Sequence, residues 1–232
     1  MRFKSLCAIA ALVTAPFAQA AYVTINEAGM DSVFSQASFG ARTVDIRIGA
    51  VTTIVRPDLL DISTDAEIAS TFGLHVGGAG IVNFYFVDTI SACGGTISVN
   101  IIGCGETPGN DFVVESVWAD DNTIPAGGNI TFGVQLLAHE LGHNLGLPHR
   151  SGNFLMNPFI NGFQDLNAAE VNTILASPLI HTDANGQRYI QINPVLIVAA
   201  LLQVPEPSSL MLVLAGALAA GAARRRRQLL PN

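Results

Sequence analysis

Residues 139–149 read His-Glu-Leu-Gly-His-Asn-Leu-Gly-Leu-Pro-His, a run whose residue types and spacing suit metal-assisted hydrolysis. An α-helix turns by about 100° per residue, so His139 and His143 lie one above the other on the same face. Two imidazoles placed that way reach one metal ion. Glu140 stands beside the first ligand and off the ligand pair, where a general base can take a proton from activated water. Gly146 can take positive φ and end the helix, Pro148 discourages its continuation, and the turn between them can bring His149 to the same ion. Three neutral nitrogens with one open position is the coordination of catalytic rather than structural zinc. The plain alternative is a core helix that happens to carry histidines. HExxH alone arises by accident, but a glycine and a third histidine where the geometry requires them weigh against that reading.

The extended spacing resembles the metzincin zinc-protease motif. Metzincins carry a methionine in a tight turn beneath the metal, and Ser151 to Pro158 reads SGNFLMNP, with Met156 in the matching place. Its short separation from His149 is similar to the matrixin branch. The resemblance implies one catalytic Zn²⁺ held by His139, His143 and His149, with Glu140 as catalytic residue. It also implies an α/β (α+β) fold with a mixed twisted sheet, an active-site helix and a small C-terminal subdomain. Asn157-Pro158-Phe159 is similar to the segment lining the pocket for the residue after the cut bond. Pro158 stands where some branches place a metal-binding tyrosine. A strand in the region 111–119 would lie beside the cleft and pair with an extended peptide.

The two ends of the chain point to export. Arg2 and Lys4 precede an apolar run and Ala18-Gln19-Ala20, the pattern of a signal peptide over residues 1–20. Val204-Pro205-Glu206-Pro207 is followed by an apolar run from Leu210 to Ala223 and by Arg224 to Arg227. Residues 204–232 thereby resemble a PEP-CTERM sorting signal. That resemblance implies recognition and removal by an exosortase-type enzyme, transient membrane association through the apolar run, and delivery through the periplasm to the surface or extracellular matrix of a Gram-negative bacterium. A plain C-terminal anchor is the competing reading.

Residues 21–203 are then long enough for a single domain with a sizeable core. They carry five basic residues against seventeen acidic ones and no lysine, a charge of about −12. Such a surface argues against nucleic acid as a partner. Cys93 and Cys104 are the two cysteines of this body, and in an oxidising compartment they are expected to form a disulfide.

Along the chain, residues 22–39 suggest a short helix, with Asp31 a weak candidate for a latency group. Alternating Val44, Ile46 and Ile48 suggest one strand over Thr43–Val55. Thr64 and Glu67 form a capping-box pattern for a helix ended by Gly73. Residues 81–90 read as a buried strand, the alternation Ile97, Val99, Ile101 as an edge strand or hairpin arm, and Asp111–Ala119 as another strand, with Glu115 and Trp118 structural. Asn129 is expected to cap the active-site helix and Asn167 a last helix. The stretch after His181 reads as a hairpin turning at Asn185-Gly186. Asp183 and Asn185 could instead hold calcium, but one acidic ligand is a poor set for that ion. His75 and His181 are read as structural. Function is expected to be zinc-dependent endopeptidase activity on peptide or protein. The alternatives are a non-catalytic surface or biofilm-matrix protein that retains a metal site, and a zinc hydrolase of something other than peptides.

Overall fold

The computed structural model describes residues 24–200; the expected signal and sorting segments lie outside them. The strands in chain order are β1 (Val44–Ile48), β2 (Thr52–Val55), β3 (Asp61–Ile62), β4 (Ile81–Val87), β5 (Thr89–Ile90), β6 (Ala92–Cys93), β7 (Thr96–Ile97), β8 (Gly103–Gly105), β9 (Asp111–Glu115), β10 (His181–Thr182) and β11 (Arg188–Val198). The helices are α1 (Glu27–Phe34), α2 (Asp65–Phe72), α3 (Ser116–Ala119), α4 (Phe132–Asn144) and α5 (Ala168–Leu175). The fold is mixed α+β, built on a mixed sheet in the order β1-β11-β4-β9-β8. β8 runs antiparallel to β9, whereas β1, β11, β4 and β9 are mutually parallel.

Parallel strands are buried on both faces and read as continuous apolar runs. In β4, Phe84 and Phe86 face a core shared with α1 and α4, while Tyr85 and Val87 face a second core closed by Leu59, Ile62 and Ile68. β9 repeats this division with Phe112 and Val114 on one side and Val113 on the other. The first core places α4 against the sheet, with Leu137 and Leu141 about fully buried. Burial of each such leucine is worth roughly 1.5–3 kcal/mol.

Several expectations change. Thr43–Val55 is two strands, because both pair with β11 but along different stretches of it. They separate at Gly49, whose N–H donates to the Ile192 carbonyl and where a Cβ would meet Asn193 Oδ1 at 2.6 Å. The strand expected over Asp111–Ala119 ends at Glu115, because its partner β4 ends at Val87, opposite Glu115; Ser116 then starts a short helix and its hydroxyl donates to the Val87 carbonyl.

The largest difference concerns the C-terminal part. The hairpin turn at Asn185-Gly186 is present, with Asp183 Oδ1 accepting from the Asn185 and Gln187 N–H groups. Its second arm, however, runs on for 11 residues as β11, between β1 and β4 at the centre of the sheet. The described residues after Met156 thus complete the main sheet rather than forming a small subdomain, and residues 24–200 belong to one compact unit.

Candidate metal centre

Helix α4 carries the first two ligands. Thr131, not Asn129, is its N-cap, accepting from the Val134 N–H. Asn129 and Ile130 are drawn away to donate to the Gly162 carbonyl, at 2.7 and 3.1 Å. Asn144, next to His143, is buried and donates from Nδ2 to the carbonyls of Glu106 and Asp111, which fastens the helix end to β9. Gly146 has φ of 93° and closes the helix, and the Leu147 N–H returns to the Gly142 carbonyl at 2.9 Å. This tight turn brings His149 round to the ligand pair.

The three rings converge. The ligand atoms of His139, His143 and His149 lie within 4.8 Å of one another. His143 Nε2 is 3.1 Å from His139 Nε2 and 3.1 Å from His149 Nε2. His139 Nδ1 is 2.9 Å from the Leu155 carbonyl and His143 Nδ1 is 2.8 Å from that of Leu147. A carbonyl can only accept, so both rings carry their proton on Nδ1 and present an unprotonated Nε2 to the common centre. Lone pairs at 3.1 Å repel unless a cation lies between them. Four-coordinate zinc with bonds of 2.0–2.1 Å would set its ligand nitrogens roughly 3.3 Å apart. The triad could therefore hold a metal ion, and its donor set suits zinc. Burial, reinforced by the neighbouring His143, lowers the His139 imidazole to about 3; burial also lowers His143 and His149. All three are thereby held in the neutral form a metal requires.

Met156 is fully buried and packs against α4 at Gly142. A Cβ at Gly142, between the two helical histidines, would meet Met156 Sδ at 2.5 Å, so the glycine makes room for the methionine. Glu140 is buried, and its Oε2 has no hydrogen-bond partner. Burial alone raises its carboxyl to about 8. An orphaned buried carboxyl oxygen beside two imidazoles with unprotonated Nε2 atoms and a third histidine fits a centre completed by a cation.

A cleft of about 390 Å³ opens on the triad, bounded by Asn100–Gly103 on one side and Pro158–Ile160 on the other, with Phe132 and Leu136 on its wall. Its sheet edge is β8 and not the 111–119 strand, since β9 is paired on both sides. Gly103 and Gly105 lie over Glu140: a Cβ at 103 would collide with Glu140 Oε1, and one at 105 would lie 3.1 Å from Oε2. Cys104 between them forms a disulfide with Cys93, which anchors the rim. Of the alternating Ile97, Val99 and Ile101, Ile97 lies in a two-residue hairpin arm, Ile97 and Val99 are exposed, and Ile101 lines the cleft. Gln135 is buried and pins the opposite rim, donating to Asn161 Oδ1 and accepting from the Asn161 and Gly162 N–H groups.

The other candidates lie elsewhere. Asp31 accepts from the Ile46 N–H. His75 pairs with Asp111 at 2.9 Å, and His181 Nε2 donates to the Gly80 carbonyl at 2.7 Å. Glu115 accepts from the Ile90 N–H, and Trp118, on α3, stacks on Phe132. Sequence reasoning missed Gly103, Gly105, Gln135 and Asn144. The one signal for the glycines was the alternation Gly-Cys-Gly, which leaves a single face of β8 without side chains.

Comparison with known proteins identifies the PEP-CTERM protein-sorting motif at residues 203–227. A motif of this kind implies export, surface sorting in Gram-negative bacteria and recognition by an exosortase-type enzyme. No curated protein matches the chain. Among the described residues no helix is long and apolar enough to cross a membrane.

Proposed function

We propose that the protein is an exported zinc-dependent endopeptidase of the metzincin type. The observation that carries this reading is the convergence of three imidazole nitrogens, two of them fixed in the metal-binding tautomer, beside a buried carboxylate at the floor of an open cleft. Zinc bound there supplies Lewis acidity, which polarises a peptide carbonyl and lets water lose a proton near neutral pH. Glu140, which lines the cleft beside His139 and His149, takes that proton and gives it to the departing amine. The edge of β8 that no described strand pairs offers backbone groups to an extended peptide, so the scissile bond lies between that edge and the histidines. Phe132, Leu136 and Phe159 give the cleft apolar walls for a side chain beside the cut bond.

The test is metal analysis of the purified protein together with digestion of casein and a peptide library, with and without chelator. Stoichiometric zinc and chelator-sensitive cleavage are expected. Glu140→Gln should keep the zinc and lower kcat about 10²–10⁴-fold. Zinc uptake with no cleavage of any peptide would instead favour a matrix component with a retained metal site.

A further inference from the structure

We infer that Arg150 is the positioning residue for the third ligand, aiming His149 through a clasp on Glu170 and Phe154. The inference rests on the reading of the triad as a metal centre.

The three imidazoles are not held alike. His139 and His143 project from a buried helix, and each has a carbonyl at Nδ1. His149 lies past the helix and is exposed, and among the described residues no acceptor meets its Nδ1. Its aim is therefore set by the backbone of residues 147–150. One end of that turn is fixed by Leu147 on Gly142, the other by the Arg150 N–H, which donates to the Met156 carbonyl at 2.7 Å.

The Arg150 side chain secures that second end from outside the cleft. Its Nη1 is 3.1 Å from Glu170 Oε2, and its guanidinium carbon lies 3.4 Å from the centre of the Phe154 ring. Glu170 is itself immobilised, because the same Oε2 accepts from the Asn167 N–H at 2.7 Å in the capping box of α5. A line of fixed groups thus runs from the start of α5 through Glu170 and Arg150 to His149. A planar guanidinium can stack and pair at once, which an ammonium does poorly. The pair is partly exposed and contributes little to global stability. Its effect falls on a ligand that must otherwise be ordered by the metal itself. Groups that orient a ligand typically change metal affinity 10–100-fold when removed.

The test uses full-length wild type, Arg150→Ala, Arg150→Lys and Glu170→Gln. Glutamine keeps the acceptor of the capping box and removes the charge. Zinc affinity is read by competition with a chromophoric chelator, and ligand geometry by the visible absorption of the cobalt(II) form. R150A should bind zinc about 10–100-fold more weakly and lose the intense tetrahedral cobalt band, with the metal-free thermal midpoint nearly unmoved. E170Q should shift affinity the same way by less, and R150K should recover part of the loss. Zinc affinity and cobalt spectrum unchanged in both R150A and E170Q overturn the clasp; if R150A does not fold, E170Q decides alone. A wild-type protein that takes up neither ion overturns the metal reading and the clasp together, whereas uptake by wild type with indifferent variants overturns the clasp alone.

Discussion

Burial sets the protonation of the site, and its pH signature follows. In the metal-free protein the His139 imidazole is lowered to about 3 and the Glu140 carboxyl raised to about 8. Between pH 3 and 6.5 the folded protein therefore binds fewer protons at His139 than the unfolded chain, and stability is lost as pH falls through that range. Between 4.5 and 8 it binds more protons at Glu140, and stability is lost as pH rises. The two oppose each other where they overlap, and His143 and His149, lowered likewise, add to the loss on the acid side, so the metal-free thermal midpoint should peak near pH 6.5 and decline above it. Saturating zinc favours the carboxylate and should remove the alkaline decline, as should Glu140→Gln without metal. Thermal melts across pH, with chelator or zinc, check this; an alkaline decline that survives E140Q would refute the assignment. At this scale much was legible, because the spacing of His139, His143, His149 and Met156 is dictated by one helix and one turn. What surrounds them was not, because Arg150 depends on Glu170, twenty residues further on, and Glu140 on two glycines of another strand.

Among the elements, β8 matters most to the proposed chemistry, since it forms the cleft edge and lies over Glu140. Gly103→Ala places a methyl against that carboxylate. Overpacking of this kind costs about 1–3 kcal/mol, and here the strain must move either the edge or the base. The expected outcome is a lower urea midpoint and a drop in kcat larger than any change in KM, with zinc content intact. A variant as active as wild type would show that the glycine is not needed. Helices α2 and α5 were readable because their caps are local: Thr64 with Glu67 and Asn167 with Glu170 both form capping boxes, whereas the cap of α4 moved to Thr131. The central place of β11 was not legible, and Pro194 shows why. A proline inside an apolar run argues against a central strand, since it lacks a ladder donor. Ile192 faces β1, giving its carbonyl to Gly49, so Pro194, two residues on, faces the same side. That is the gap where β1 has ended and β2, starting opposite Val195, has not begun.

For the molecule as a whole, the sorting motif at 203–227 follows the end of β11 at Val198 within a few residues. A chain cut after Ala200 should fold and bind zinc like the full protein, because residues 24–200 belong to one compact unit. A chain cut before Arg188 should not fold, since β1 and β2 would lose the strand that joins them to β4. Circular dichroism and zinc titration of the two truncations check this, and a folded shorter form would contradict the topology. Val44 pairs with Arg188, so the seam of the sheet closes between segments far apart in the chain. Pairings of such long range form slowly. Because β11 is made last of the described strands, a nascent polypeptide lacks its keystone until every other described strand has been made. On the proposed reading as an exported peptidase, this order would delay assembly of the sheet behind the cleft, and with it any proteolysis, until late in folding.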